Sequence, residues 1–209
     1  RYELRRYELV GIFIIENPRL GIRRVARGLI TRNFAKILQG LLQPRQTWGS
    51  GAKYAITLKD VNGADKEIWT IGNLYDNYSD RYVTFFEQSV RIFTTVAEDI
   101  ELGLFFKVGK GSLTLSPDNY ELADPVQEVP ASEASRVDNP DNTILSITGS
   151  GTANTSFNCT EVGAYLRLLR GSITNTREVF DTLIDHAQVT GISYSPGDTI
   201  SIQYKLTLA

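Results

Sequence analysis

From Thr199 to Leu208 the chain alternates without a break. Ile200, Ile202, Tyr204, Leu206 and Leu208 fall on one side, and Thr199, Ser201, Gln203, Lys205 and Thr207 on the other. A period of two belongs to a strand with one oily and one wet face, whereas a helix would scatter these apolar residues around its surface. Burying the five apolar side chains contributes roughly 1.5–3 kcal/mol each before entropy is charged, so the fold is expected to need its last residues for full stability. The same reading gives strands over Tyr54 to Leu58 and Ile68 to Thr70, on either side of Asp60-Val-Asn-Gly63, whose Asn-Gly pair suits the positive φ of a hairpin turn. Further strands are expected over 83–96, 102–108, 143–148, 162–169 and 178–185. Residues 109–118 carry turn chemistry, 120–129 read as a proline-broken edge, and 130–141 as an exposed loop.

Two stretches depart from this pattern. Residues 9–15, with Leu9, Val10, Ile12, Phe13, Ile14 and Ile15, are apolar on both faces and must be covered on both. Their cover is either the chain's own sandwich or a neighbour's sheet into which the segment inserts as a strand. Residues 31–43 are the one convincing helix: Thr31 can cap it, Phe34, Ile37, Leu38, Leu41 and Leu42 share a face opposite Arg32, Lys36 and Gln39, and Pro44 ends it. The expected fold is therefore all-β: a β-sandwich over 29–209, with jelly-roll connectivity as one candidate, a leading helix at 31–43, and an extended basic arm over 1–28.

Charge makes the arm more pointed. The net charge of −2 conceals ten basic against three acidic residues in 1–45, a balance of +7, and −9 over the remainder. Arg19, Arg23, Arg24 and Arg27 sit in the segment between the apolar stretch and the helix, where they are placed to contact an acidic neighbour or, without sequence preference, nucleic-acid phosphates. No aromatic residues interleave with them as base reading would require. If 1–28 is an arm, deleting it should leave a folded but less associated sandwich, and added salt should weaken assembly.

Candidate chemistry is sparse. One cysteine, Cys159, excludes an internal disulfide framework and a cysteine-rich zinc site; one histidine, His186, excludes a multi-histidine metal site. Gly109-Lys110-Gly111-Ser112 lacks the earlier glycine and the following helix of a phosphate loop. Asp60 to Glu67 and Asp138 to Asn142 are rich in oxygen ligands, but the first lacks calcium-loop spacing and the second reads as a loop. The acid pairs Glu98-Asp99 and Asp181 with Asp185 come with no second group to fix a hydrolytic geometry, and a serine triad would have to use His186 beside Asp185 without a Gly-x-Ser-x-Gly elbow. Asn77, Asn154 and Asn158 match the glycosylation acceptor pattern. No catalytic residue, metal site or cofactor is expected. The longest apolar run is too short for the ~18 residues of a membrane-spanning helix and has the wrong flanks for a signal peptide. The absence of an initiator Met leads us to expect a processed, trimmed or partial chain.

Several phrases form an ordered set: Leu29-Ile-Thr-Arg-Asn-Phe-Ala35, Val108-Gly-Lys-Gly followed by Ser116-Pro-Asp-Asn-Tyr-Glu-Leu122, Cys159-Thr-Glu-Val-Gly-Ala-Tyr-Leu166, Leu183-Ile184, and Ser195-Pro-Gly-Asp-Thr-Ile-Ser-Ile-Gln-Tyr204. In that order, over 29–208, they resemble β-sandwich proteins encoded among the virion genes of bacterial and archaeal viruses. The resemblance implies a non-enzymatic capsid, vertex or tail component located in the virion, whose partners are copies of itself and other virion proteins. It has no catalytic residues to transfer, and residues 1–28 lie outside it. Two other classes fit the residues: a secreted adhesin or carbohydrate-binding module with Tyr75, Tyr78 and Tyr82 as a stacking platform, and a cell-surface filament whose subunits exchange donor strands.

Overall fold

The computed structural model describes residues 8–41, 54–70, 103–170 and 178–208. Among them, nine strands form one antiparallel sheet that nearly closes on itself, in the order β2-β1-β11-β8-β7-β6-β9-β10-β3. The alternating C-terminal segment is β11 (Thr199–Leu208). It pairs along its length with β8 (Thr143–Thr152) on one side and with β1 (Leu9–Asn17) on the other. Its apolar residues Ile200, Ile202 and Tyr204 are buried as their spacing predicts.

The sheet folds over at β7 (Pro125–Asp138), whose first half pairs with β6 (Gly103–Gly109) and whose second half pairs with β8. The two halves of the sheet thus face each other, with β9 (Phe157–Arg170) and β10 (Glu178–Tyr194) opposite β1 and β11. Between them lie Phe13, Ile15, Phe106, Val108, Val129, Val162, Ile184, Ile192, Ile202 and Tyr204. The Tyr204 ring stands 4.8 Å from that of Phe13 and 6.4 Å from that of Phe106, joining the two layers at their centre. A smaller apolar cluster of Phe105, Leu122, Tyr165 and Leu183 lies on the outer face of the second layer.

The all-β class and the single N-terminal helix agree with expectation; several boundaries do not. The apolar stretch 9–15 is not an arm extending from the body. It is β1, hydrogen-bonded between β11 and β2 (Ile22–Arg27), with Phe13 and Ile15 in the core. Residues 22–27 of the expected basic arm form β2, because Ile22 and Ala26 pack on the core while Arg23, Val25 and Arg27 point outward. The proposed loop 130–141 is mostly strand: β7 runs through to Asp138 and pairs with β8 from Ala131 onward. Strands expected at 162–169 and 178–185 continue as β9 and β10 well past those limits, with register shifts in β10 after Leu183 and Gln188. The strand expected at 83–96 lies outside the described residues.

The helix α1 (Arg32–Leu41) starts where Thr31 was expected to cap it: the Phe34 amide donates to Thr31 Oγ1 at 3.5 Å. Ile37 is buried and Phe34 packs on the core. Asn33, on the first turn, donates to Thr182 Oγ1 at 2.8 Å and to the Lys59 carbonyl at 2.9 Å, and its own Oδ1 accepts from the Lys59 amide at 2.9 Å. These bonds tie the helix to β10 and to the hairpin of β4 (Tyr54–Lys59) and β5 (Asp65–Thr70). Gly63, in the turn of that hairpin, has the positive φ its Asn-Gly pair predicts, 76°. The free edge of β10 is covered in the same region, since the Thr31 amide donates to the Ile184 carbonyl at 3.0 Å and the Val61 amide to that of Asp181 at 3.1 Å.

Candidate functional site

The two ends of the long sheet are neighbours in sequence. β2 stops at Arg27, the chain crosses at Gly28, and β3 (Leu29–Ile30) joins β10. The crossing is held by the Gly28 amide, which donates to the Gly11 carbonyl at 2.8 Å. At this corner β10 is bulged: Leu183 pairs with Tyr165 and Asp185 with Ala164, leaving Ile184 unopposed. An extra residue lets two consecutive side chains face the same way. Ile184 therefore enters the core, and Asp185 also points inward, where the Tyr204 hydroxyl donates to its Oδ2 at 2.8 Å.

Asp185 is fully buried, and its Oδ1 has no partner in the structure. Its carboxyl occupies the space two side chains would need: a Cβ on Gly11 would fall 1.7 Å from Oδ2, and one on Gly28 would fall 2.3 Å from Oδ1. Burial pushes this acid up to about 6, and the hydrogen bonds from Tyr204 and from the His186 amide offset only part of that cost. His186, the next residue, is also fully buried. Its Nδ1 lies 2.9 Å from the Leu29 carbonyl and must carry the proton to bond there, which leaves Nε2 as an acceptor with no partner. Burial lowers the imidazole below its ordinary range, against the pull of the Leu29 carbonyl. Two adjacent residues thus favour their neutral forms where the sheet closes, and what this arrangement can do chemically is hold or lose a proton.

Other polar side chains are committed to structure. Glu161 is buried and accepts from three amides of the β6–β7 connection, those of Gly111 at 3.0 Å, Ala123 at 3.0 Å and Asp124 at 2.8 Å. Tyr165 donates to Glu121, whose other oxygen is 2.9 Å from Lys107 Nζ. Arg167 bridges Asp181 and Glu128 with its guanidinium 4.5 Å from the Phe105 ring centre, and both carboxylates hold it protonated. Lys66 contacts Glu178 and Asp60; the Glu178 bond raises its pKa, so the amine stays charged and is no nucleophile. The Cys159 thiol is buried and pushed up to about 12 by that burial. Among the described residues no group of three or more His, Cys, Asp or Glu could hold a metal ion, and no helix is long and apolar enough to cross a membrane.

The residues expected at a subunit interface belong to the body. Phe13, Ile14 and Ile15 are buried, and Leu9, Val10 and Ile12 are half-buried. The arginines expected to reach a partner or phosphates are also engaged within the chain. Arg19 pairs with Asp198, Arg23 with Glu16 at 3.1 Å, and Arg27 with Glu8. Arg24 turns inward, where one nitrogen donates to the Arg23 carbonyl at 3.1 Å and Nε has no partner. Tyr75, Tyr78 and Tyr82, and the acceptor Asn77, lie outside the described residues.

One surface was not anticipated. Beyond the row of Ala134, Ile147, Tyr204 and Phe13, in which Tyr204 and Phe13 are buried, Ile147 is half-buried and Ala134 is exposed, the core-facing side of the first layer continues for two more rows: Arg136, Leu145, Leu206 and Gly11, then Asp138, Thr143, Leu208 and Leu9. Here burial fades, with Leu145 36% and Leu208 51% exposed, and β7 is exposed on both faces from Ser132 to Asp138. On the opposite face Val137 is 53% exposed. The β7 end of this rim is thus wet on both sides, while its other strands are half-buried for the most part, and the rim carries exposed leucines and a valine. Even alternation hid it, because β11 has the same pattern inside and outside the sandwich.

No protein-family model matches the chain, and searches of curated proteins and of solved structures find no match to it.

Proposed function

We propose that this chain is a non-enzymatic structural protein of a virus particle, a capsid, vertex or tail component, whose copies associate through the exposed rim of the first layer. The observation that carries this reading is the rim itself: Leu145, Leu208 and Val137 present apolar surface where the sheet has run past its partner layer. Leu145 and Leu208 share one face and Val137 lies on the other, and exposed apolar side chains gathered at one end of a sheet suit an interaction site. The ordered phrases over 29–208 that resemble virion β-sandwich proteins supply the particle context. The Arg136–Asp138 pair on the same face as Leu145 adds charges of both signs, which suits a two-fold contact between like surfaces.

This reading differs from assembly through an arm, because residues 9–15 are spent inside the fold. Donor-strand exchange loses its basis for the same reason. Light scattering on the intact chain across a concentration series, with electron microscopy of what forms, tests the proposal. The expected result is a defined oligomer or shell that the double substitution Leu145→Asp and Leu208→Asp converts to monomer with unchanged circular dichroism. A wild-type protein that is monomeric throughout, or a variant that assembles equally well, overturns it.

A further inference from the structure

We propose that Asp185, Tyr204, Gly11 and Gly28 form a proton-operated latch at the corner where the sheet closes. The neutral acid keeps β1, the Gly28 crossing and β3 packed against β10, and the carboxylate loosens them. This inference is independent of whether the protein assembles.

Three features of the corner support it. β3 has only two residues paired to β10, Leu29 with His186 and Ile30 with Asp185, and beyond these the closure is held by a few bonds, Gly28 to Gly11, His186 to the Leu29 carbonyl and Thr31 to the Ile184 carbonyl. The acid sits where Gly11 and Gly28 leave room for a carboxyl and nothing more. One of its oxygens has no partner, a cost that rises sharply once the group is charged.

The surrounding groups do not offset that charge. Tyr204 approaches from β11, and a phenol supplies a hydrogen bond but no positive charge. From β1 and from the crossing the neighbours are glycines, and across the ladder to β9 it is Ala164. The inward-turned cation of β2, Arg24, donates to the Arg23 carbonyl, and the other β2 arginines pair with acids, Arg23 with Glu16 and Arg27 with Glu8. His186 offers its amide to Asp185, while its ring is bonded to Leu29.

The sign follows from the direction of the shift. Burial raises the folded-state pKa of Asp185 to about 6 from 3.8. The folded chain therefore retains a proton that the unfolded chain releases, and the latch is strongest below that window and weakens as pH rises through it. His186 has the opposite slope, since its depressed pKa penalises acid conditions.

Amide hydrogen exchange on the intact protein, with rates divided by their intrinsic values, reads the latch at Gly28, Leu29, Ile30 and Thr31. Between about pH 5 and about pH 8, protection at these four amides is expected to fall in the wild type, by up to about tenfold. It should fall at least as far in His186→Gln, which lacks the opposing imidazole, and should be flat or rise in Asp185→Asn. The proposal is overturned by a flat wild-type profile, by the same fall in Asp185→Asn, or by loss of the fall in His186→Gln. Should Asp185→Asn fail to fold, carbon-13 NMR of the aspartate carboxyls in the wild type decides. A buried carboxyl titrating near pH 6 supports the latch, and all carboxyls titrating in the ordinary range overturn it.

Discussion

At the scale of single residues the fold depends on what is missing from two glycines. Gly28→Ala would drive a methyl to within 2.3 Å of Asp185 Oδ1 and 2.6 Å of Oδ2, and on its other side the same carboxyl is pressed against Gly11, where a Cβ would fall 1.7 Å from Oδ2. The substitution should cost about 1–3 kcal/mol in urea denaturation, the usual range for overpacking a filled site. In an Asp185→Ala background the cost should shrink, because the group it collides with has gone; additive costs would show that Gly28 is needed for its backbone instead. Glu161 gives a parallel case. Its two oxygens accept from three amides, so Glu161→Gln must turn an NH2 toward at least one N–H. A loss of about 1–3 kcal/mol is expected by the same measurement, with chemical-shift changes centred on Gly111, Ala123 and Asp124. Neither role was legible in the sequence. Asp185 was visible only as a carboxylate four residues from Asp181 and as the neighbour of His186, and no local pattern distinguishes Asp181, bound to Arg167, from a residue turned inward by a bulge.

At the scale of elements, the turns at one end of the sandwich are joined through Asp198. Its carboxylate accepts from Asn17 at 3.1 Å, from Arg19 at 2.9 Å and from the Ser195 amide at 2.9 Å, linking the β1–β2 turn to the β10–β11 turn. Arg19 first, and the Ser195 amide after it, hold this carboxyl below its ordinary value despite burial. A depressed folded-state pKa contributes stability above about pH 4 that disappears as pH falls through the folded value. Asp198→Asn should therefore lower stability near neutrality and flatten the acid limb of the stability profile. An acid limb as steep as that of the wild type would remove Asp198 from the account. Elements were legible where one face is buried and the other wet. β11 and the capped helix follow their spacing because the core imposes it on one side only. β2 read as part of an arm because Arg24 occupies one of its inward positions, and β7 beyond Pro130 read as a loop because water reaches both of its faces. An alternation test cannot detect a strand whose two environments are alike.

For the whole molecule, the structure reverses two expectations drawn from charge and hydropathy. The arginines of the first thirty residues suggested assembly that salt would weaken. With Arg19, Arg23 and Arg27 paired to Asp198, Glu16 and Glu8, that attraction is largely satisfied within the chain. Association through the leucine-bearing rim should instead persist or tighten when salt is raised well beyond the screening range of exposed charges, about 10 Å at 0.1 M. Light scattering against ionic strength separates the two cases. Truncation is the sharper test. An arm could be removed without harm, but residues 9–27 are β1 and β2, and β1 supplies Phe13 and Ile15 to the core and fills the position beside β11. Burying Phe13, Ile14 and Ile15 contributes about 1.5–3 kcal/mol each, which together approaches the net stability of about 5–15 kcal/mol typical of a domain. Their loss would also expose the edge of β11 and uncover Ile202 and Tyr204. A chain beginning at residue 29 should therefore show no cooperative thermal transition by circular dichroism and should bind hydrophobic dyes. A cooperative melt near that of the intact protein would mean that the sandwich closes without its first two strands, and that β1 is an appendage after all.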